Sequence, residues 1–412
     1  MRKAVPLAFL ISTFCLSGQT LKAVEFWEPA ETHAVIIGVT RWEADLTKYP
    51  RRHRKDEELR DLLVELGTPG EQIALLLDSE ATLANIRQAI ESTLAATNSD
   101  STLLVYYAGH GWRVGDDFCF ANYDVVLGKK NRKTNWTVSE LAEMVHNKFN
   151  GKLAVFLGDC CHSGGMRLAV EKLGERNIPS FSLTSSTEAK TSTGNWTFTQ
   201  CVLDAFSGLP LMDTNRDGAI TLGELNTEVN NAMLHIERQQ SDFYSNGTGN
   251  DLVICRTDEK LVDSENLKFP LGSYVKVKDR FGRVVAASEN ESQEYDVAFF
   301  TYAQKKVKRY DESEIQPSQR ELKQSTLEQQ SNCKVKWRGQ WYPAVVIREA
   351  NDRWFIHYVN DDDSWDEWVG SRRIRFPNQR ESRTRRHRMR HTQRRSGDVR
   401  GRHNQRDQKK IP

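Results

Sequence analysis

No CxxC pair occurs in the 412 residues, which removes the ligand spacing that structural zinc clusters require. Cysteine is scarce, seven in all, so the chain is no disulfide scaffold. Long hydrophobic runs are missing too. The longest mainly apolar stretch, Ala4 to Leu16, has 13 residues; it spans about 20 Å as a helix, against about 30 Å of bilayer hydrocarbon, which excludes a multi-pass membrane protein. Charge of one sign is lacking overall, 58 Lys and Arg standing against 56 Asp and Glu. That balance hides an asymmetry, because 13 basic and three acidic residues fall between Arg380 and Pro412. The remainder is acidic, and a nucleic-acid role cannot rest on the total. What is present is 38% hydrophobic and 28% charged residues, enough to bury cores in two or three domains and too apolar for a disordered chain.

Arg2 and Lys3 precede the apolar run, and small and polar residues follow it to Ala23. Residues 1–23 therefore read as a signal peptide, with an uncleaved anchor or a buried first strand as alternatives. Cleavage predicts a secreted or periplasmic protein with no transmembrane segment. Six cysteines remain, and in an exported protein one of them can stay unpaired because chemistry demands it.

From 24 to about 260, short β-branched runs alternate with helical stripes. Ala34 to Val39, Ile73 to Leu77, Leu103 to Tyr107, Lys152 to Leu157 and Phe181 to Thr184 are strand-like. Between them, Leu59, Leu62, Leu63 and Leu66 form one stripe. Leu83, Ile86, Ile90 and Leu94 form another behind Thr82 as cap, and Thr137 with Glu140 suggests a capping box before a third helix. The pattern predicts an α/β fold with a mostly parallel sheet flanked by helices, whose ligands gather beyond the carboxyl ends of the strands. Residues 269–317 and 332–377 change to short alternating runs, each the size of a small five-stranded barrel. The linker Ser318 to Ser331 reads as a short helix or a flexible spacer. Residues 378–412 read as a disordered basic tail.

Two polar segments fall where the sheet rule points. Tyr107-Ala108-Gly109-His110-Gly111 ends one strand, and Asp159-Cys160-Cys161-His162-Ser163-Gly164 ends another. A Cys–His dyad needs both side chains on neighbouring strand ends, with amides at hand for an oxyanion. A helix beyond Gly165 would place its positive end near a thiolate. Tyr-x-Gly-His-Gly followed by Asp-x-Cys-His-Ser-Gly resembles the caspase-like cysteine peptidases of clan CD, especially the metacaspase branch, across Ala34 to Cys255. By that resemblance, His110 is the catalytic histidine and Cys161 the nucleophile, with Cys160 in the variable position before it. The amides of Gly111 and Cys161 are the implied oxyanion donors. Asp159 is the implied acid of the first specificity pocket, which points to substrates with Arg or Lys before the scissile bond; its alternative is a structural cap of the following helix. Asp56, Asp117 and Asp124 fall where acids commonly occur in this superfamily. The alternative to an enzyme is a catalytically inactive caspase-like protein that binds peptides or polymers through its C-terminal barrels.

Asp213 to Glu224 has the form of a twelve-residue EF-hand loop. Asp213, Asn215 and Asp217 supply oxygens at positions 1, 3 and 5, and Gly218 makes the turn. The carbonyl of Ala219, a water held by Thr221 and the carboxylate of Glu224 complete the set. With one such loop visible, a structural Ca²⁺ is favoured over a sensor.

Five of the ten Trp lie between Trp337 and Trp368. With Tyr342, Tyr358 and the acids from Asp361 to Glu367, this stretch resembles the Tudor-knot or chromo-barrel group of SH3-like domains, and 269–317 looks like a divergent relative. The resemblance implies an aromatic cage of Tyr342, Tyr358, Trp365 and Trp368 for a cationic peptide, or an ordinary core made of the same rings. The tail is suited to weak electrostatic attraction to nucleic acid or an anionic surface.

Overall fold

The computed structural model describes residues 27–50, 52–114, 117–127, 134–187, 195–257, 267–288, 293–301, 304–318, 332–337, 340–350, 353–358, 367–371 and 373–376. The expected signal peptide and the basic tail lie outside the described residues. The chain divides into two units, Met1–Lys323 and Gln324–Pro412.

In the first unit, β1 (Thr32–Gly38) leads through α1 (Lys55–Glu65) to β2 (Ile73–Leu77), and α2 (Leu83–Ala96) leads to β3 (Thr102–Ala108). A small antiparallel sheet follows, made of β4 (Gly111–Val114), β5 (Asp117–Phe120) and β6 (Trp136–Thr137). The main sheet resumes after α3 (Val138–Lys148) with β7 (Leu153–Asp159), α4 (Arg167–Gly174) and β8 (Ser180–Thr184). Then come α5 (Thr197–Phe206), β9 (Ala219–Thr221), α6 (Leu222–Ala232), β10 (Asp242–Asn246) and β11 (Val253–Arg256). The six-stranded order is β10-β8-β7-β3-β1-β2, parallel throughout except where β10 runs antiparallel to β8.

Every residue of β1, β3 and β7 is buried, because helices cover both faces and leave no polar side to the strands. Alternation sorts these residues into two cores. Ile36, Tyr106 and Leu157 join Leu59, Phe198 and Leu225 from α1, α5 and α6. Val35, Val105 and Phe156 join Ile86, Leu141 and Ala169 from α2, α3 and α4 on the other face. The Thr82 hydroxyl accepts the Asn85 N–H at 3.3 Å as its cap predicts. At Thr137 only half the capping box forms: its hydroxyl accepts the Glu140 N–H at 3.1 Å, while the Glu140 carboxylate pairs with Arg87 on α2.

A five-stranded antiparallel sheet closes the first unit, in the order β15-β14-β13-β12-β16. Its strands are β12 (Tyr274–Val277), β13 (Arg280–Ala287), β14 (Glu294–Thr301), β15 (Gln304–Asp311) and β16 (Ile315–Pro317), around a core that includes Val275, Val297, Phe299 and Ile315. It packs against the α5–α6 pair. Arg283 makes a buried 2.7 Å ion pair with Glu228 and donates to the Leu211 carbonyl at 3.0 Å. The Tyr274 hydroxyl donates to Glu228 at 2.6 Å, and Lys305 meets Asp204 at 3.1 Å.

The second unit holds a sheet of similar size, β17 (Asn332–Trp337), β18 (Gln340–Ala350), β19 (Arg353–Tyr358), β20 (Glu367–Gly370) and β21 (Ile374–Arg375). Its core is Cys333, Val335, Ala344, Ile356, Val369 and Ile374. Among the described residues, no helix is long and apolar enough to cross a membrane.

Candidate active site

Strands β3 and β7 are neighbours, and Ala108 opposite Asp159 is their last paired position. Gly109 and His110 therefore leave one strand beside Cys160 and Cys161 leaving the next. The two exits touch at Gly111: a Cβ there would collide with the Cys161 carbonyl oxygen and stand 3.1 Å from the Cys160 sulfur. Glycine permits this approach. The Ala121 N–H donates to the His110 carbonyl at 2.9 Å, so the antiparallel alternation turns the Gly111 N–H away from β5.

His110 is held by the segment that follows β1. One ring nitrogen, Nε2, lies 2.8 Å from the Thr47 carbonyl, and the other, Nδ1, lies 2.9 Å from the Tyr49 hydroxyl. The rings of Trp42 and Tyr49 stand 4.6 and 4.8 Å from the imidazole. Burial draws the His110 pKa below its usual value, with the Thr47 carbonyl opposing that shift. The histidine is therefore neutral near pH 7.

The segment has firm moorings. Asp78, in the left-handed region at φ 45°, accepts the Thr40 N–H at 2.7 Å and the Arg41 N–H at 3.2 Å. Arg54 donates to Asp78 at 2.9 Å, to Asp56 at 2.6 Å and to the Gly38 carbonyl at 2.8 Å. Arg41 reaches forward to the Tyr49 carbonyl, and Trp42 Nε1 donates to the Ala121 carbonyl at 3.1 Å. Burial works against the Arg54 charge, but Asp56 and Asp78 hold it more firmly protonated than a free guanidinium.

On the β7 side, Cys160 is buried, and burial foremost, then the charges of Cys161 and Asp159, pushes its thiol well up. Cys161 is half-buried and lines the same cleft as Tyr49, Asp159 and Trp196. His162 sits at φ 57° and is buried within the turn. The Ser186 hydroxyl donates to the Cys160 carbonyl at 2.8 Å, and the Gly164 N–H to the Ser186 carbonyl at 2.9 Å. One 3-10 turn, Ser163–Met166, separates this turn from α4.

Asp159 is 8% exposed and accepts the Thr199 hydroxyl at 2.7 Å. Thr199 lies on α5, and its own hydroxyl oxygen is 2.7 Å from that of Tyr106. Burial raises the Asp159 carboxyl to about 7, against the lowering by hydrogen bonds from Thr199 and Ser185. Among the described residues, no Lys or Arg forms an ion pair with it. The other superfamily acids have structural partners. Asp56 binds Arg54, Asp117 accepts the Ser139 N–H at 3.2 Å near the start of α3, and Asp124 accepts the Leu83 N–H at 2.8 Å at the start of α2.

The loop from Asp213 to Glu224 turns through two left-handed positions, Arg216 at φ 62° and Gly218 at φ 83°. Its donors are hard oxygens, suited to Ca²⁺. They face the loop's own amides: Asp213 accepts the Gly218 N–H at 2.9 Å, Asn215 the Asp217 N–H at 2.9 Å, and Asp217 the Ala219 N–H at 2.9 Å. Glu224 caps α6 with Thr221 and also accepts the Thr214 N–H at 2.8 Å. Among the described residues, no group of three or more His, Cys, Asp or Glu converges on one point. The donors are of the chemical type Ca²⁺ prefers, and holding the ion would require Glu224 to exchange its amide partners for it.

Of the four proposed cage aromatics, Tyr342 is half-buried and packs against the core of the second unit. The side chains of Tyr358 on β19 and Trp368 on β20, and the whole of Trp365, lie outside the described residues. Sequence reasoning missed Trp42, Thr47, Tyr49, Trp196 and Thr199. A tryptophan and a tyrosine in the largely charged stretch from Arg41 to Arg54 are a signal for Trp42 and Tyr49; Thr47 acts through its backbone carbonyl, which no side-chain pattern marks.

A family model described as the caspase domain matches residues 31–253. Metacaspase-7 of Arabidopsis thaliana is 28% identical over 199 residues, 43% of this chain and 46% of that protein; the chain thus spans less than half the length of this curated relative. A solved structure, protein GSU0716 from Geobacter sulfurreducens, aligns with 57% of this chain and all of its own at 14% identity and a TM-score of 0.38.

Proposed function

The chain belongs to the caspase-domain family of peptidases, and from that membership we propose that it is a cysteine endopeptidase cutting after Arg or Lys with Cys161 and His110. The observation that carries the specificity is Asp159, a buried carboxyl with hydroxyl donors and no basic partner among the described residues, beside Cys161 in one cleft. A desolvated carboxylate is satisfied best by a guanidinium or ammonium brought by the substrate.

In this mechanism, Nδ1 of His110 takes the thiol proton and the Cys161 sulfur attacks the scissile carbonyl. The Gly111 and Cys161 amides receive the developing oxyanion. The imidazolium then gives its proton to the leaving amine, and a thioester remains. Water, deprotonated by the neutral histidine, releases the acid and restores the thiol. Cys160 is unsuited to this work because its thiol is buried and hard to ionise.

Three subsidiary readings accompany the peptidase. Export follows from the signal-like start. Ca²⁺ held by Asp213, Asn215, Asp217, the Ala219 carbonyl, Thr221 through water, and Glu224 would favour the folded state. The two small sheets are read as SH3-like modules, the second of Tudor-knot type for a cationic peptide, with the basic tail drawn to anionic surfaces.

A second reading, a catalytically inactive interaction protein, has one observation in its favour: both nitrogens of His110 already have partners. Fluorogenic peptides ending in Arg, Lys or Asp decide between the two. Cleavage after Arg or Lys that Cys161→Ala abolishes and Cys160→Ala leaves in place supports the enzyme. No turnover by the wild-type protein, with and without Ca²⁺, refutes it.

A further inference from the structure

We propose that Tyr49 is a positioning residue that holds the dyad in reserve, its hydroxyl occupying the ring nitrogen of His110 that has to receive the proton of Cys161. This rests on the Cys161–His110 reading and adds to it how the resting enzyme keeps its nucleophile quiet.

The donor and acceptor roles follow from chemistry. The Thr47 carbonyl can only accept, so Nε2 carries the hydrogen in their 2.8 Å bond. In a neutral imidazole the lone pair is then on Nδ1, and the Tyr49 hydroxyl at 2.9 Å donates to it. A lone pair engaged in this way is a weaker base towards a thiol. Tyr49 is the right distance from the chemistry to matter, since it lines the cleft with Cys161 and Asp159. Burial foremost, and then the charges of Cys161, Cys160 and Asp159, pushes its phenol up, so it stays protonated and keeps donating. The titratable groups facing it are His110, those three and Tyr107, whose hydroxyl donates to the His110 carbonyl at 2.8 Å.

The contact is built in. The Tyr49 N–H donates to the Thr40 carbonyl at 3.1 Å, Arg41 grips the Tyr49 carbonyl, and the Tyr49 ring packs on the imidazole. The proposal requires substrate to displace only the side chain, and Tyr49, outside any helix or strand, is half-buried at the cleft. When a peptide enters the cleft and moves the hydroxyl aside, the S–H bond of Cys161 breaks and an N–H bond forms at Nδ1. The sulfur keeps the electron pair as thiolate, and the imidazolium keeps its Nε2 hydrogen on the Thr47 carbonyl.

The test is alkylation of Cys161 in the full chain by iodoacetamide across pH 5 to 9, without substrate. Labelling of the other cysteines is subtracted with the same protein carrying Cys161→Ala. Tyr49→Phe, isosteric and without the hydroxyl, should alkylate about tenfold faster near pH 6.5, with the profile midpoint lower by about one unit, the scale of one hydrogen bond. A profile that coincides with wild type, or moves up, overturns the proposal. Tyr49→Leu should shift the profile the same way, which keeps the test open if the first variant folds poorly. Peptide cleavage separates the two levels. Hydrolysis lost in Cys161→Ala with an unmoved Tyr49→Phe profile refutes this inference and leaves the dyad standing; hydrolysis surviving Cys161→Ala refutes the dyad itself.

Discussion

If Asp159 is the proposed specificity acid, lowering the pH from 8 to 6 should discharge it and weaken the preference for Arg. With the Asp159 carboxyl raised to about 7, about nine-tenths of the molecules carry the charge at pH 8 and about one-tenth at pH 6. A substrate with Arg before the scissile bond needs that charge, whereas one with citrulline, of nearly the same shape and neutral, does not. The dyad titrates identically for both peptides, so the ratio of their kcat/KM isolates Asp159. That ratio should fall about tenfold between pH 8 and 6. In Asp159→Asn it should be flat and lower by about 30-fold to 1000-fold, since losing one partner of a desolvated charge pair costs about 2–4 kcal/mol. The same burial acts on stability. Between pH 3.8 and about 7 the folded chain holds a proton that the unfolded chain has released, so the contribution of Asp159 to stability declines as pH rises through that window. The Asn variant escapes the loss, and urea titrations should find it ahead of wild type by on the order of 4 kcal/mol above pH 7 and by little near pH 4. A wild-type ratio without slope, or an Asn variant that still prefers Arg, would refute the reasoning.

Two further outcomes follow from the contacts around α6. Arg283→Met strands Glu228 in a buried site, which should destabilise the first unit by about 3–5 kcal/mol in urea at pH 7, with most of it recovered on adding Glu228→Leu. Millimolar Ca²⁺ should raise the melting temperature of the wild-type protein by several degrees relative to EDTA, and Glu224→Gln should abolish that difference without removing the loop.

The parallel sheet was legible because strands covered on both faces must be apolar throughout, and Ala34 to Val39 and Leu103 to Tyr107 are. The helices around it were legible from stripes such as Leu83, Ile86, Ile90 and Leu94, all buried. Strand β10 was not, since Asp242-Phe243-Tyr244-Ser245-Asn246 lies half-buried at an edge and carries no continuous apolar run. The hairpin β4–β5 was hidden because β4 is half-buried throughout and the buried run of β5, Phe118 to Phe120, is too short to stand out. His110 and Cys161 announced themselves by their glycine-rich and small-residue surroundings. Tyr49 did not, because its partner is 61 positions away and a loop has no periodicity to mark which side chain turns inward. Asp117 and Asp124 show the converse: position suggested chemistry, and their amide partners at helix starts account for them.

The neighbours β3 and β7 are separated in the chain by a hairpin and a helix. Until the later strand slots in alongside the earlier one, a nascent polypeptide carries its imidazole with no sulfur opposite. On the proposed dyad, a fragment ending before residue 153 would lack the nucleophile altogether, and the pair would assemble only when the later strand is in place.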